Sequence, residues 1–216
     1  MFENSTVDMS AAEMNERAIL LQQQGNLAEA EPLFRRALEA REQQLGALHP
    51  DTLNSMNNLA GLLQDRGKLA EAEPLFWRAL EGHEQQLDAQ HPDALACAAN
   101  LALLLQAQGK LKKAEPLCRR ALEGRKQQLG AQHPITLTSV NNLALLLTAQ
   151  GKLAEAEPLY RRYAGSREAA VVRCLGCGSS APLKTCTGCH VARFCSKACI
   201  ARTWKEHKPN CKLWRK

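Results

Sequence analysis

An all-α fold, a solenoid of stacked helix pairs followed by a small separate module, is predicted by three features of this 216-residue sequence. One segment returns at a constant interval, apolar residues inside it recur at helical spacing, and beyond residue 170 composition and charge change abruptly. Composition is otherwise that of a globular chain, 45% hydrophobic and 23% charged. The longest apolar runs, LALLL at 101–105 and LALLLTA at 143–149, fall far short of the roughly 20 residues that cross a bilayer. No membrane span is expected. The N-terminus, MFENSTVDMS, lacks the basic start and apolar core of a secretory signal, so the expected setting is cytosolic or nuclear, with reduced thiols.

The repeat is 42 residues long: GNLAEAEPLFRRALEAREQQLGALHP at 25–50 returns at 67–92 and again at 109–134, and a fourth copy begins GKLAEAEPLYRR at 151. Within a unit, Leu53, Met56, Leu59, Ala60 and Leu63 mark one helical stripe, and Ala72, Leu75, Phe76, Ala79 and Leu80 mark another. Each unit is therefore a pair of helices. Gly25, Gly67, Gly109 and Gly151 supply the turn after the first helix, and His-Pro at 49–50, 91–92 and 133–134 starts the next unit, because proline fits a helix's first turn. Pro32, Pro74, Pro116 and Pro158 fall near the start of each second helix, where about one backbone hydrogen bond is lost. One pair cannot bury its stripe alone, whereas three or more stacked pairs share a core. A short right-handed α-solenoid over 11–165 is expected, after a disordered 1–10. The fourth unit reads Arg162-Tyr163-Ala164-Gly165-Ser166 where earlier copies read Arg-Ala-Leu-Glu, so its last helix should end early, followed by a linker at 166–173.

The run Gly-Lys-Leu-Ala-Glu-Ala-Glu-Pro-Leu-Phe, followed by Arg-Ala-Leu-Glu and preceded by Asn57-Asn58-Leu59-Ala60, resembles the 42-residue tetratricopeptide (TPR) repeats of kinesin light chains over about residues 11–165. The resemblance implies that the first helices line a concave groove holding extended peptides, often through asparagines. The matching positions are Asn57, Asn58, Asn100, Asn141 and Asn142, with Gln22, Gln64 and Gln106 farther along the same helices. Taken singly, each of these asparagines also fits a helix-capping or solvated role. Three further repeated features read as structural. His49, His91 and His133 stand beside helix starts as caps or packing residues, while Cys118, in the place of Phe34 and Phe76, and Cys97, in the place of Ser55 and Ser139, are small buried fillers.

Seven of the nine cysteines lie between Cys174 and Cys211. From 171 to 216 ten Lys and Arg face one acid, Glu206, a formal +9, which leaves −3 for residues 1–170 out of the chain's +6. Cys174, Cys177, Cys186, Cys189, Cys195, Cys199, His207 and Cys211 form four close pairs, the donor set of two tetrahedral Zn²⁺ ions. A C-x2-C knuckle turns both sulfurs toward one ion, and the i,i+4 pairs project from one helix face. From spacing alone the four pairs divide between two ions in three ways. A segment of this size cannot build a sufficient core unaided, and structural zinc supplies about 10–16 kcal/mol in zinc-finger peptides. The string CTGCH at 186–190 also spells a c-type haem attachment site, but haem would leave five cysteines and His207 without a shared purpose.

Arg193-Phe194-Cys195-Ser196-Lys197-Ala198-Cys199, then Trp204-Lys205-Glu206-His207-Lys208-Pro209-Asn210-Cys211, resembles the second half of a MYND-type zinc finger, and the upstream pairs match its first half. The resemblance covers 174–211, with a basic tail at 212–216, and implies a cross-braced arrangement. Cys174, Cys177, Cys195 and Cys199 then hold one ion, and Cys186, Cys189, His207 and Cys211 the other. It further implies an interaction module for proline-containing peptides, with Trp204 in the pocket. Ile200 stands where the family usually has glutamine.

The function these features imply is a non-catalytic adaptor with protein or peptide partners. Nucleic-acid binding is the runner-up and is disfavoured, because seven thiolates and two Zn²⁺ reduce the finger's formal +9 to about +6, and basic charge alone supports only salt-sensitive contact. A fragment of a MYND-containing lysine methyltransferase is a third reading. The repeats precede the finger and no segment is large enough for a SET domain, which weighs against it.

Overall fold

The computed structural model describes residues 9–165 and two short strands at 184–185 and 193–194. The chain forms two compact units, residues 1–124 and 125–216. The helices are α1 (Ala11–Gln23), α2 (Leu27–Leu45), α3 (Pro50–Asp65), α4 (Leu69–Gln86), α5 (Pro92–Ala107), α6 (Leu111–Leu129), α7 (Pro134–Ala149) and α8 (Leu153–Gly165). They pair as the repeat requires: α1 packs on α2, α3 on α4 and α7 on α8, with α2–α3 and α4–α5 contacts joining successive pairs. The α8 helix is described over Leu153–Gly165, and the expected linker at 166–173 lies outside the described residues. Strands β1 (Lys184–Thr185) and β2 (Arg193–Phe194) form an antiparallel ladder that pairs Lys184 with Phe194 and Thr185 with Arg193.

The expected stripes make the core of the first unit. Leu53, Met56, Leu59, Ala60 and Leu63 on α3, and Ala72, Phe76, Ala79 and Leu80 on α4, are buried, whereas Leu75, expected in the α4 stripe, is only half-buried, at the edge of the face that Ala72, Phe76 and Ala79 bury. His49, His91 and His133 are N-caps whose Nδ1 accepts from the backbone N–H of Asp51 (3.2 Å), Asp93 (3.3 Å) and Ile135 (3.2 Å). The following proline occupies N1 in each case, where its missing N–H has no intrahelical acceptor. Gly67 and Gly109 take φ of +74°, a left-handed turn that side chains with a Cβ resist.

The recurrent Glu-Pro of the motif has a structural purpose. Glu31, buried on α2, accepts from Lys68 Nζ at 3.0 Å and from Arg66, both in the next repeat, and from Arg35 on its own helix. Glu73, one period later, accepts from Lys110 Nζ at 2.7 Å and Gln108 Nε2 at 3.0 Å. The lysine of Gly-Lys-Leu thus reaches back to the glutamate of the preceding repeat, and charge-assisted bonds of this kind are stronger than neutral ones. Lys110 holds the Glu73 carboxyl below its ordinary pKa, against an opposing effect of burial.

Leucine and glycine alternate with equal regularity. A Cβ added to Gly82 would lie 2.4 Å from Leu53 Cδ2, and one added to Gly124 would lie 2.5 Å from Leu95 Cδ1. The first repeat has Ala11 in the place of Leu53 and Ala40 in the place of Gly82. A large side chain on the first helix therefore goes with glycine on the second, and a small one with alanine.

Candidate functional site

One stripe of α3 faces solvent. Asp51, Asn54, Asn57, Asn58, Gly61, Gln64 and Asp65 are exposed or half-buried, whereas Thr52, Leu53, Ser55, Met56, Leu59, Ala60, Leu62 and Leu63 are buried. Asn57, Asn58 and Gln64 thus share one accessible face of one helix. On α5, Asn100, Leu103 and Gln106 occupy the same face and are half-buried. The first helices also meet directly, α1 with α3 and α3 with α5, so their accessible stripes form one surface within residues 1–124.

Side-chain amides bridge these helices. Asn58 Nδ2 donates to Asn15 Oδ1 at 3.2 Å, and Asn100 Nδ2 donates to Asn57 Oδ1 at 3.1 Å. The asparagines lie in the middle of α3 and α5, not at their starts, so capping does not account for them. A carboxamide offers two N–H groups and a carbonyl with two lone pairs. Each bridge consumes one donor and one acceptor, fixes both amide planes, and leaves the remaining groups for a further partner. Gln22 Nε2 donates to Asp65 Oδ2 at 2.6 Å, a second bridge from α1 to α3. Gln106 Oε1 is buried without a hydrogen-bond partner.

In the second unit, Asn141 and Asn142 are half-buried on α7. Thr148 stands where α3 and α5 carry Gln64 and Gln106; it donates to Ala144 O at 2.8 Å and lies 3.3 Å from the Tyr160 hydroxyl. The eight expected metal ligands, Cys174, Cys177, Cys186, Cys189, Cys195, Cys199, His207 and Cys211, and the expected pocket residue Trp204 lie outside the described residues. Among the described residues there is no cluster of three or more His, Cys, Asp or Glu able to hold a metal, and no helix long and apolar enough to cross a membrane.

Two features escaped the sequence reading. Asn15 belongs to the amide ladder, and a 42-residue shift back from Asn57 lands on it. The second concerns positions 41, 83 and 125, occupied by Arg41, His83 and Arg125. Arg41 donates to Ser55 Oγ at 2.7 Å and Arg125 to Ser139 Oγ at 2.8 Å. In the second repeat both members change together, to His83 and Cys97. His83 is fully buried with neither ring nitrogen hydrogen-bonded, and burial holds its pKa below the ordinary value, opposed by Asp93 and reinforced by His91. Burial, with Asp93 adding to it, raises the Cys97 thiol to about 12, and burial, with Glu115 adding to it, raises Cys118 to about 11. Both thiols are unreactive fillers.

Comparison with known proteins agrees with this architecture. The tetratricopeptide repeat family matches residues 8–85, 54–116 and 94–169, and the MYND finger family matches 166–211. The crystal structure of TPR-like repeats attributed to a kinesin light chain of Podosopora anserina is similar at 26% identity and a TM-score of 0.68, covering 77% of this chain and 80% of that one. BtubC (BKLC) from P. vanneervenii is similar at 25% identity and a TM-score of 0.65, over 73% of this chain and 62% of its own. The apo form of RapI, at 16% identity and a TM-score of 0.66 over 77% of this chain and 60% of its own, shares the fold. No curated protein sequence matches the chain. Helix pairs at a 42-residue period, an amide ladder along their first helices and the family matches together show that the chain belongs to the tetratricopeptide-repeat proteins and carries a MYND finger at its C-terminal end.

Proposed function

We propose that this protein is a non-catalytic adaptor that holds an extended peptide on the first helices of its repeats and a second partner on its finger. TPR repeats and MYND fingers are protein-interaction modules, so a protein-binding role follows from the families themselves. The observation that carries the finer reading is the pair of amide bridges, Asn58–Asn15 and Asn100–Asn57, in which Asn15 is buried and Asn57, Asn58 and Asn100 are half-buried on the accessible stripe. A peptide backbone presents alternating N–H and C=O groups, and carboxamides already fixed by one another meet it at little further entropic cost. In the second unit Asn141 and Asn142 are the candidates for the same role. Affinity capture with the wild-type chain beside an Asn57→Ala/Asn100→Ala variant and a Cys174→Ala variant tests both halves. Partners lost only from the asparagine variant belong to the repeats, and partners lost only from the cysteine variant belong to the finger. Full retention by both would defeat the proposal.

The finger family implies zinc, and the donor set of seven thiols and one imidazole suits it. We assign Cys174, Cys177, Cys195 and Cys199 to one ion and Cys186, Cys189, His207 and Cys211 to a second. Bound there, zinc serves as a cross-link in place of a hydrophobic core. Metal analysis should find two zinc per chain, and one or none would sink the assignment. A reduced setting, cytosolic or nuclear, suits these thiols.

A further inference from the structure

We propose that the peptide taken by residues 1–124 is basic and seats one large apolar side chain over Gly61. The inference rests on the groove reading above and adds what the groove selects. Along the accessible stripe, Ile19 on α1, Gly61 on α3 and Leu103 on α5 stand at one repeat position, and all three are half-buried. A Cβ built on Gly61 would meet no atom within 4 Å. This glycine is therefore not required by packing, unlike Gly82, whose Cβ position is occupied. What it leaves is a notch with an apolar wall on each side, beside the Asn57–Asn100 bridge.

The charge along the stripe is predominantly negative. The stripe carries Glu16, Asp51, Asp65 and Asp93, neither α3 nor α5 contains a single Lys or Arg, and α1 contributes one cation, Arg17. Arg66 and Lys68, which follow α3, are turned to Glu31. Lys110 is likewise engaged by Glu73. The cations of this unit belong chiefly to the second helices, so the peptide meets carboxylates, amides and aliphatic walls. A lysine- or arginine-bearing segment complements that lining, and an acidic one is repelled.

Fluorescence polarisation with the full-length chain and labelled nonapeptides tests this, using a lysine-rich peptide with a central tryptophan, the same peptide with a central alanine, and a glutamate-rich peptide with the tryptophan. The lysine–tryptophan peptide should bind about tenfold or more tighter than either alternative, with the advantage over the glutamate peptide shrinking as salt rises. A Cβ at Gly61 meets nothing within 4 Å, so Gly61→Leu is expected to fold, which far-UV circular dichroism checks; it should erase the tryptophan advantage and keep the preference for lysine. Tighter binding of the glutamate peptide, or a tryptophan advantage that survives Gly61→Leu, overturns this inference. In either case, loss of binding in Asn57→Ala/Asn100→Ala would still uphold the groove itself. If wild type binds none of the three, or the asparagine variant binds as wild type does, the groove reading fails and takes the inference with it.

Discussion

Replacing Gly82 by alanine should destabilise the first unit in the native sequence and stabilise it once Leu53 is truncated. The added Cβ falls 2.4 Å from Leu53 Cδ2 and 2.9 Å from Cδ1, and Leu53 is only 1% exposed. Forcing one carbon into such a site costs about 1–3 kcal/mol, while removing glycine from a helix interior returns about 1 kcal/mol. The net is a loss of about 0–2 kcal/mol. A pocket lined by Ala47, Leu48, Leu53, Met56 and Gly82 gives Leu53 room to yield, which favours the lower half of that range. Leu53→Ala alone should cost about 2–5 kcal/mol. In that background Gly82→Ala meets nothing, gains about 1 kcal/mol of helix propensity and refills part of the vacated space. The double variant recreates the Ala11 and Ala40 combination of the first repeat. Urea unfolding of the four proteins, followed by far-UV circular dichroism, reads a coupling of about 1–3 kcal/mol. Equal effects of Gly82→Ala in both backgrounds would mean that leucine and glycine are not matched, and would refute the reasoning.

Acid should weaken the first unit through His83, whose buried imidazole has its pKa lowered by burial. Because the folded value lies below the unfolded one, this contribution is present above about pH 6.5 and is lost as pH falls through the folded value. His83→Arg/Cys97→Ser restores the pair seen in the flanking repeats, so unfolding midpoints measured from pH 7.5 to 5 should lose that component; an unchanged acid limb would exonerate His83. Phe76→Ala, at a fully buried position, should cost about 3–5 kcal/mol in the same assay, and a loss under about 1 kcal/mol would show that the site collapses freely. Chelation should release two zinc per chain and abolish the structure of 174–211 while the helical signal of the repeats persists. Cooperative loss of both would show that the finger stabilises the repeats.

The helices were legible because each is written at least three times. Apolar spacing, Gly67 with its equivalents and the His-Pro starts set the pairs. His49, His91 and His133 stand beside helix starts in the sequence, as caps or packing residues do, and all three are caps. The amide bridges were less legible for a geometric reason. Asn58 pairs with Asn15 and Asn100 with Asn57, a separation of 43 residues, so the partners are not the equivalent residues that a 42-residue comparison aligns. Periodicity finds equivalence, whereas a bridge between successive helices joins different positions. The matching of Leu53 with Gly82 and of Arg41 with Ser55 was hidden likewise, since each joins a first helix to a second.

Differences among the repeats are then as informative as their sameness. The Glu31–Lys68 and Glu73–Lys110 bonds connect each second helix to the turn before the next, so Gly-Lys-Leu and Glu-Pro must recur wherever one repeat stacks on another. No such demand falls on the accessible stripe of the first helices. At its successive positions, Asn15 and Asn57 give way to Ala99, Ile19 and Leu103 flank Gly61, and Gln23 is followed by Asp65 and Ala107. Asn15 and Ala99 are buried, but the other side chains are half-buried or exposed, and a Cβ at Gly61 would touch nothing within 4 Å. Positions that no packing contact fixes are free to differ between repeats, and so are free to meet a partner's demands without cost to the stack. Gly61, whose Cβ position is open, and the carboxylates along its stripe are therefore where a change in ligand preference can be separated from a change in stability.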